Sequence, residues 1–184
     1  MVRELVLLSS EDVLISKLQN CKPGISESAV YETICADIID HLFGGNFRQS
    51  HRQSSTSDAM FRMDLQCSHK RNTEFWQFIY DQFRSLLVVF EFKNYAAPID
   101  QNLIYITQKY LHPRLSRTVA FMVSRQGFSP HARDAAKGIL MESGKLIVDL
   151  TDEDLIAMLE MKKCGEDPSE YLMRKVELMF MSFS

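Results

Sequence analysis

The chain has 184 residues, 46% hydrophobic and 24% charged, with 21 Lys and Arg against 24 Asp and Glu. A single domain of that length buries about two-thirds of its unfolded surface, which excludes a miniature disulfide-stapled scaffold. The net charge of −3 argues at first sight against a phosphate-binding protein, but between Gly44 and Lys145 there are 14 basic and 8 acidic residues, and the flanks hold 7 and 16.

Cys21, Cys35, Cys67 and Cys164 are scattered, with no C-x-x-C pair and no histidine cluster. This argues against a zinc site and for reduced thiols. No apolar run approaches the roughly 20 residues of a membrane helix, and no signal-type segment opens the chain, so a cytoplasmic protein without a membrane partner is expected.

In chain order, Leu5, Leu8, Val13, Leu14 and Leu18 carry a helical pattern that Pro23-Gly24 breaks. A helix follows from about Ser26, its expected N-cap, to Phe43, with Gly44-Gly45 as the stop. Asn46 to His51 and Ala59 to Cys67 read as strands, and the polar patch Gln49 to Ser57 has loop or hairpin composition. Thr73 to Arg84 predicts a short helix, and Ser85 to Lys93 a continuous apolar strand. Beyond it come a helix at Ile99 to Leu111, a strand at Thr118 to Val123, a helix at Pro130 to Met141 and a strand at Lys145 to Leu150. Two acidic, Met-rich helices finish the chain, the first opened by a Thr151–Asp154 capping box.

The apolar strand ends in Glu91 and Lys93, two residues apart and therefore on one face, about 6.6 Å apart along the backbone. Charges at the end of a buried strand face a cleft, a partner or a metal, or else form a surface ion pair; the residue pattern alone leaves both readings open. Asp64 lies on the preceding strand, and successive strands are commonly neighbours, so it can come beside Glu91. Two carboxylates and a lysine suit a hard divalent cation with substrate phosphate. On a helical wheel Glu32 has Ala29, Cys35, Ala36, Ile39 and Phe43 within about 60°. It reads either as a buried, hydrogen-bonded glutamate or as a further metal partner. His51, His69, His112 and His131 stand at no motif spacing.

Asp64, 26 intervening residues and Glu91-Phe92-Lys93 resemble the D…(E/D)-x-K signature of the PD-(D/E)XK nuclease superfamily. Pro23-Gly24, Tyr31-Glu32, Arg62-Met63-Asp64, Phe75-Trp76, Asn94-Tyr95, Asp100-Gln101, Ser124-Arg125-Gln126-Gly127 and Thr151-Asp152-Glu153-Asp154 extend the resemblance to restriction-endonuclease-like domains of bacterial defence proteins. Met63 stands where the signature has proline.

The resemblance implies an α/β fold, a restriction-endonuclease-like mixed central sheet flanked by helices, with extra C-terminal helices. The expected division is an N-terminal helical extension (1–22), a nuclease core (23–150) and a C-terminal helical extension (151–184). Asp64, Glu91, the Phe92 carbonyl and Glu32 would hold Mg²⁺, for which Mn²⁺ could substitute. Lys93 would be the catalytic lysine, and Gln101 the helix glutamine beside the site, with Gln108 the alternative. The implied activity is metal-dependent hydrolysis of DNA in restriction or antiviral defence, by a homodimer or an effector domain of a larger protein. The alternatives are an inactive nucleic-acid-binding or assembly module of the same fold, and a nuclease for RNA or branched DNA junctions. Arg48, Arg52, Arg62, Lys109, Arg114 and Arg125 are the candidate phosphate contacts, within a basic face that the acidic flanks border.

Overall fold

The computed structural model describes residues 8–55 and 62–182. β1 (Phe47–Ser55), β2 (Arg62–His69) and β3 (Leu87–Lys93) run antiparallel to one another, and β4 (Val119–Ser124) and β5 (Leu146–Thr151) continue parallel to β3. The strand order is β1-β2-β3-β4-β5, a mixed sheet with helices on both faces. Coverage on both sides explains the unbroken apolar runs of β3 and β4. β2 instead alternates between buried Met63, Leu65 and Cys67 and half-buried Asp64, Gln66 and Ser68.

On one face Leu65, Phe90, Phe121, Val123 and Val148 pack beneath α1 (Ser10–Asn20), α2 (Ser28–Phe43), α3 (Glu74–Phe83), α6 (Asp152–Lys163) and α7 (Ser169–Met181). The stacked rings of Phe90 and Phe121, 4.9 Å apart, carry this core across two strands. On the other face Val89, Ala120, Met122 and Ile147 pack beneath α4 (Gln101–Gln108) and α5 (Pro130–Ser143).

Several elements depart from the sequence reading. The polar patch expected to be a loop is strand as far as Ser55, because β1 is an edge strand whose Gln49, Ser50 and His51 face solvent. Ser26 is not an N-cap: it lies within a 3-10 turn, Ile25–Glu27, and α2 starts after it. Glu27 Oε2 instead accepts the Lys22 N–H at 2.6 Å, bracing the Pro23-Gly24 bend. The helix expected at Ile99 to Leu111 is shortened at both ends, with Asp100 capping the Asn102 N–H. Leu5 and Ala59 to Phe61 lie outside the described residues.

The Thr151–Asp154 capping box is present, and Asp154 does more than cap. Its carboxylate also accepts Tyr171 Oη and Lys175 Nζ, each at 2.6 Å, fastening α7 to the start of α6.

One guanidinium ties the ends of five segments. Arg125 donates from Nε to Asn94 Oδ1 at 2.8 Å, from Nη1 to Asp152 Oδ2 at 2.7 Å and from Nη2 to the Cys21 carbonyl at 2.7 Å. It lies over the Tyr31 ring at 4.3 Å, and Tyr31 Oη donates to the other Asp152 oxygen. Asn94 completes the knot by donating from Nδ2 to the Lys22 and Gly24 carbonyls, both at 2.9 Å. Gly24 has a φ of 122°, which a side chain at this bend would disfavour. Because Asn94 directly follows β3, this network fixes the strand end that carries Glu91 and Lys93.

Removing the hub leaves Asp152 without its cation and takes the donor from Asn94 Oδ1 and the Cys21 and Leu18 carbonyls, so Arg125→Ala is expected to cost about 3 kcal/mol. Urea denaturation measures it; a loss below about 1 kcal/mol would show that the knot contributes no more than an exposed ion pair.

Candidate active site

β2 pairs with β3 only as far as Leu65, opposite Phe90. Beyond that point a side chain replaces the ladder: the Phe92 N–H donates to Asp64 Oδ2 at 2.8 Å. The divergence of the strands opens room for charged groups, and the backbone bond fixes the Asp64 carboxylate against β3.

Lys93 Nζ donates to Glu91 Oε2 at 2.9 Å and to Asp64 Oδ2 at 3.3 Å. Glu91 is 2% exposed, with its side chain among the apolar residues of the sheet, while Asp64 and Lys93 are 13% and 20% exposed at its rim. The cluster thus opens to solvent on one side only. Glu91 and Lys93 are thus not an exposed surface pair, since the Glu91 carboxylate is buried.

Burial pushes the Glu91 carboxyl up to about 7, with Lys93 opposing and Asp64 adding to the rise. Burial works against the Lys93 ammonium, but the Glu91 and Asp64 carboxylates outweigh it and the net shift is upward. Lys93 is therefore a charged donor near neutral pH and not a free base. Tyr110 borders the cluster: burial, and next the Glu91 charge, raise its phenol above the usual range. The sequence reading missed Tyr110, which follows the shortened α4 and has no motif spacing to mark it.

Once Glu91 is ionised, two carboxylates against one ammonium leave one negative charge in excess. Glu91 Oε1 is buried with no hydrogen-bond partner, a costly arrangement unless a cation or water meets it. Hard oxygen donors, excess negative charge and an unsatisfied carboxylate oxygen fit a divalent cation such as Mg²⁺, which takes one or two carboxylates and keeps several waters. Among the described residues no group of three or more His, Cys, Asp or Glu converges as a ligand set.

Glu32 does not converge with Asp64 and Glu91 in such a group. Its Oε1 accepts from Gln53 Nε2 of β1 at 3.2 Å, and it is half-buried on the flank of α2. The buried stripe of α2 runs through Tyr31, Ile34, Cys35, Ile38, Ile39 and Leu42. With Ala36 and Phe43, which are also buried, a wheel centred on the stripe puts Glu32 about 60° to the side. Gln101 is also away from the cluster: it is exposed at the first turn of α4, in a surface groove shared with Tyr105, Gln108 and His131. Neither Gln101 nor Gln108 bonds Asp64, Glu91 or Lys93, and α4 enters the sheet's second core through Ile104 instead.

Of the candidate phosphate contacts, Arg125 is committed to the internal knot and Arg52 to Asp37 and Asp40 at 2.8 and 2.6 Å. Arg48, Lys109 and Arg114 are exposed, and the side chain of Arg62 lies outside the described residues.

The raised Glu91 carboxyl has a direct consequence for stability. Folded Glu91 keeps its proton to about 7 against an ordinary 4.5, so the folded chain binds more protons in that window and this group's contribution falls as pH rises through it. In metal-free protein, Glu91→Gln is expected to gain about 2 kcal/mol relative to wild type between about pH 5 and pH 8. Urea denaturation at the two pH values reads the difference; a pH-independent offset would contradict the burial of a titrating carboxyl.

No family model and no curated protein matches the sequence. A solved structure of the restriction endonuclease FokI bound to DNA superimposes with a TM-score of 0.59 at 13% identity, over 92% of this chain and 33% of the FokI chain. The present chain thus spans about a third of that protein's length. With a five-stranded mixed sheet, helices on both faces and Asp64, Glu91 and Lys93 together where β2 leaves β3, the chain has a restriction-endonuclease-like fold.

Proposed function

We propose that this chain is a metal-dependent nuclease that hydrolyses phosphodiester bonds of DNA, in restriction or antiviral defence. The observation that carries the reading is the half-buried Asp64–Glu91–Lys93 cluster, with its excess negative charge and unsatisfied Glu91 Oε1. An inert binding module would have no evident use for a Glu91 kept 2% exposed at a cost to stability. The DNA bound to FokI in the matching structure supports DNA as the polymer, and the match to a third of FokI supports a domain acting within a larger protein.

Asp64 and Glu91, with the Phe92 carbonyl, would hold Mg²⁺ or Mn²⁺. When bound, such an ion lowers the pKa of coordinated water and polarises the phosphoryl group. Phe92 N–H holds Asp64 in place throughout. Lys93 Nζ keeps its protons and donates to the attacking water or a non-bridging phosphate oxygen, offsetting charge that grows as the bond forms. The three apolar strand neighbours Val89, Ala120 and Met122 keep bulk water from the inner side of Glu91.

Purified protein incubated with plasmid and Mg²⁺ or Mn²⁺ is expected to nick or linearise it, and Asp64→Asn and Lys93→Met each to slow cleavage by at least about 100-fold. Cleavage that survives both substitutions, or wild-type protein inert on DNA with either metal, would overturn the proposal. Cleavage of RNA or a four-way junction in place of plasmid would move the substrate assignment while keeping the site.

A further inference from the structure

Arg117 is 7% exposed and has no carboxylate partner among the described residues. It is held by neutral acceptors alone: Nε donates to the Tyr110 carbonyl at 2.8 Å and Nη1 to Gln66 Oε1 at 3.1 Å. Its Nη2 has no hydrogen-bond partner among the described residues. Burial disfavours the charged guanidinium, yet arginine remains protonated in proteins. A buried, uncompensated cation is costly, and the fold keeps this one against Gln66, on the strand that carries Asp64.

The second half of the arrangement is Gln66. It lies two residues along β2 from Asp64 and alternates to the same side, a step of about 6.7 Å. A guanidinium only donates, so the amide atom facing Arg117 must be the oxygen. Gln66 Nε2 is therefore directed away from Arg117, and it has no partner among the described residues. His51, opposite Gln66 on β1, is exposed, while Val89, opposite it on β3, is buried, so half-buried Gln66 lies at the open margin of the covered sheet. An oriented amide donor and the free edge of a cation thus lie together at this margin, one pleat from the acidic cluster.

We propose that Gln66 and Arg117 form a second anion-binding subsite, which grips a phosphodiester group neighbouring the scissile one. The identity of the anion as a nucleic-acid phosphate rests on the nuclease reading; the subsite itself rests on the two side chains. Gln66 is a binding residue and Arg117 its positioning residue, and the charge of Arg117 is neutralised when the anion arrives. The chain thereby separates two tasks: Asp64 and Glu91 need a cation before a phosphate can approach, whereas Gln66 and Arg117 accept phosphate without one.

Gln66→Glu tests this, because a carboxylate there compensates Arg117 and repels an anion. The variant is expected to melt higher than wild type in chloride. Inorganic phosphate at matched ionic strength is expected to raise the melting temperature of wild type and not that of the variant. Fluorescence anisotropy with a labelled DNA duplex in EDTA is expected to show binding weakened about tenfold or more by Gln66→Glu, with Gln66→Ala intermediate. No phosphate response in wild type, or one retained by Gln66→Glu, overturns the subsite even if plasmid is cleaved. A phosphate response lost in Gln66→Glu while wild type neither binds nor cleaves nucleic acid supports a free-phosphate site and overturns the phosphodiester assignment. In that case it is the nuclease reading that fails, and not the anion site.

Discussion

The Lys93 ammonium, shared between Asp64 and Glu91 at the point where β2 stops pairing with β3, is the interaction around which the molecule is organised. Glu91 could not be held 2% exposed without a nearby cation, and Lys93 could not lie beside it unless the strand end were fixed. Asp64 supplies the lock by taking the Phe92 N–H, a backbone donor left free where the ladder ends. Asn94, the next residue beyond Lys93, is in turn held by Arg125 and by the Pro23-Gly24 bend. Two elements remote from the cleft in sequence, α1 and α6, therefore brace it through one guanidinium.

This arrangement also changes the meaning of the uneven charge along the chain. The acidic flanks are not merely a border to a basic middle. Asp37 and Asp40 of α2 take Arg52, and Asp152 of α6 takes Arg125, so acids from both flanks neutralise arginines of the central segment. Within α1 and α6, Lys163 pairs with Asp12 at 2.5 Å, tying the flanks to each other. The net charge thus says little about polymer binding, because the relevant charges are those left uncompensated: the Asp64–Glu91 excess and the buried Arg117.

The sequence made the strands and the central cluster legible because their signals are local and strong. Leu87 to Phe90 could only be a buried strand, and Glu91 and Lys93 at its end demanded an explanation that Asp64 then supplied. Elements that depend on tertiary context were less readable. Glu32 occupies the edge of the apolar stripe of α2, where buried Cys35, Ala36, Ile39 and Phe43 surround it on the wheel although the centre of the stripe lies to one side. Arg125 stands in a motif-like run and reads as a surface contact, although its partners come from segments more than a hundred residues apart in sequence for Cys21 and Leu18. Gln101 opens a helix that packs on the sheet through a different side chain, Ile104. Arg117 is a single basic residue ahead of a strand, and nothing in the local pattern reveals that it is buried without an acid.

The central claim is that Asp64 and Glu91 together present a cation site, with Glu91 Oε1 as its unsatisfied ligand. Crystals soaked in Mn²⁺, with anomalous differences collected above the manganese edge, test it most directly. The account predicts a peak at the cluster of Asp64 and Glu91. A fully occupied Mn²⁺ elsewhere with this cluster empty, or no peak at saturating metal, would contradict it.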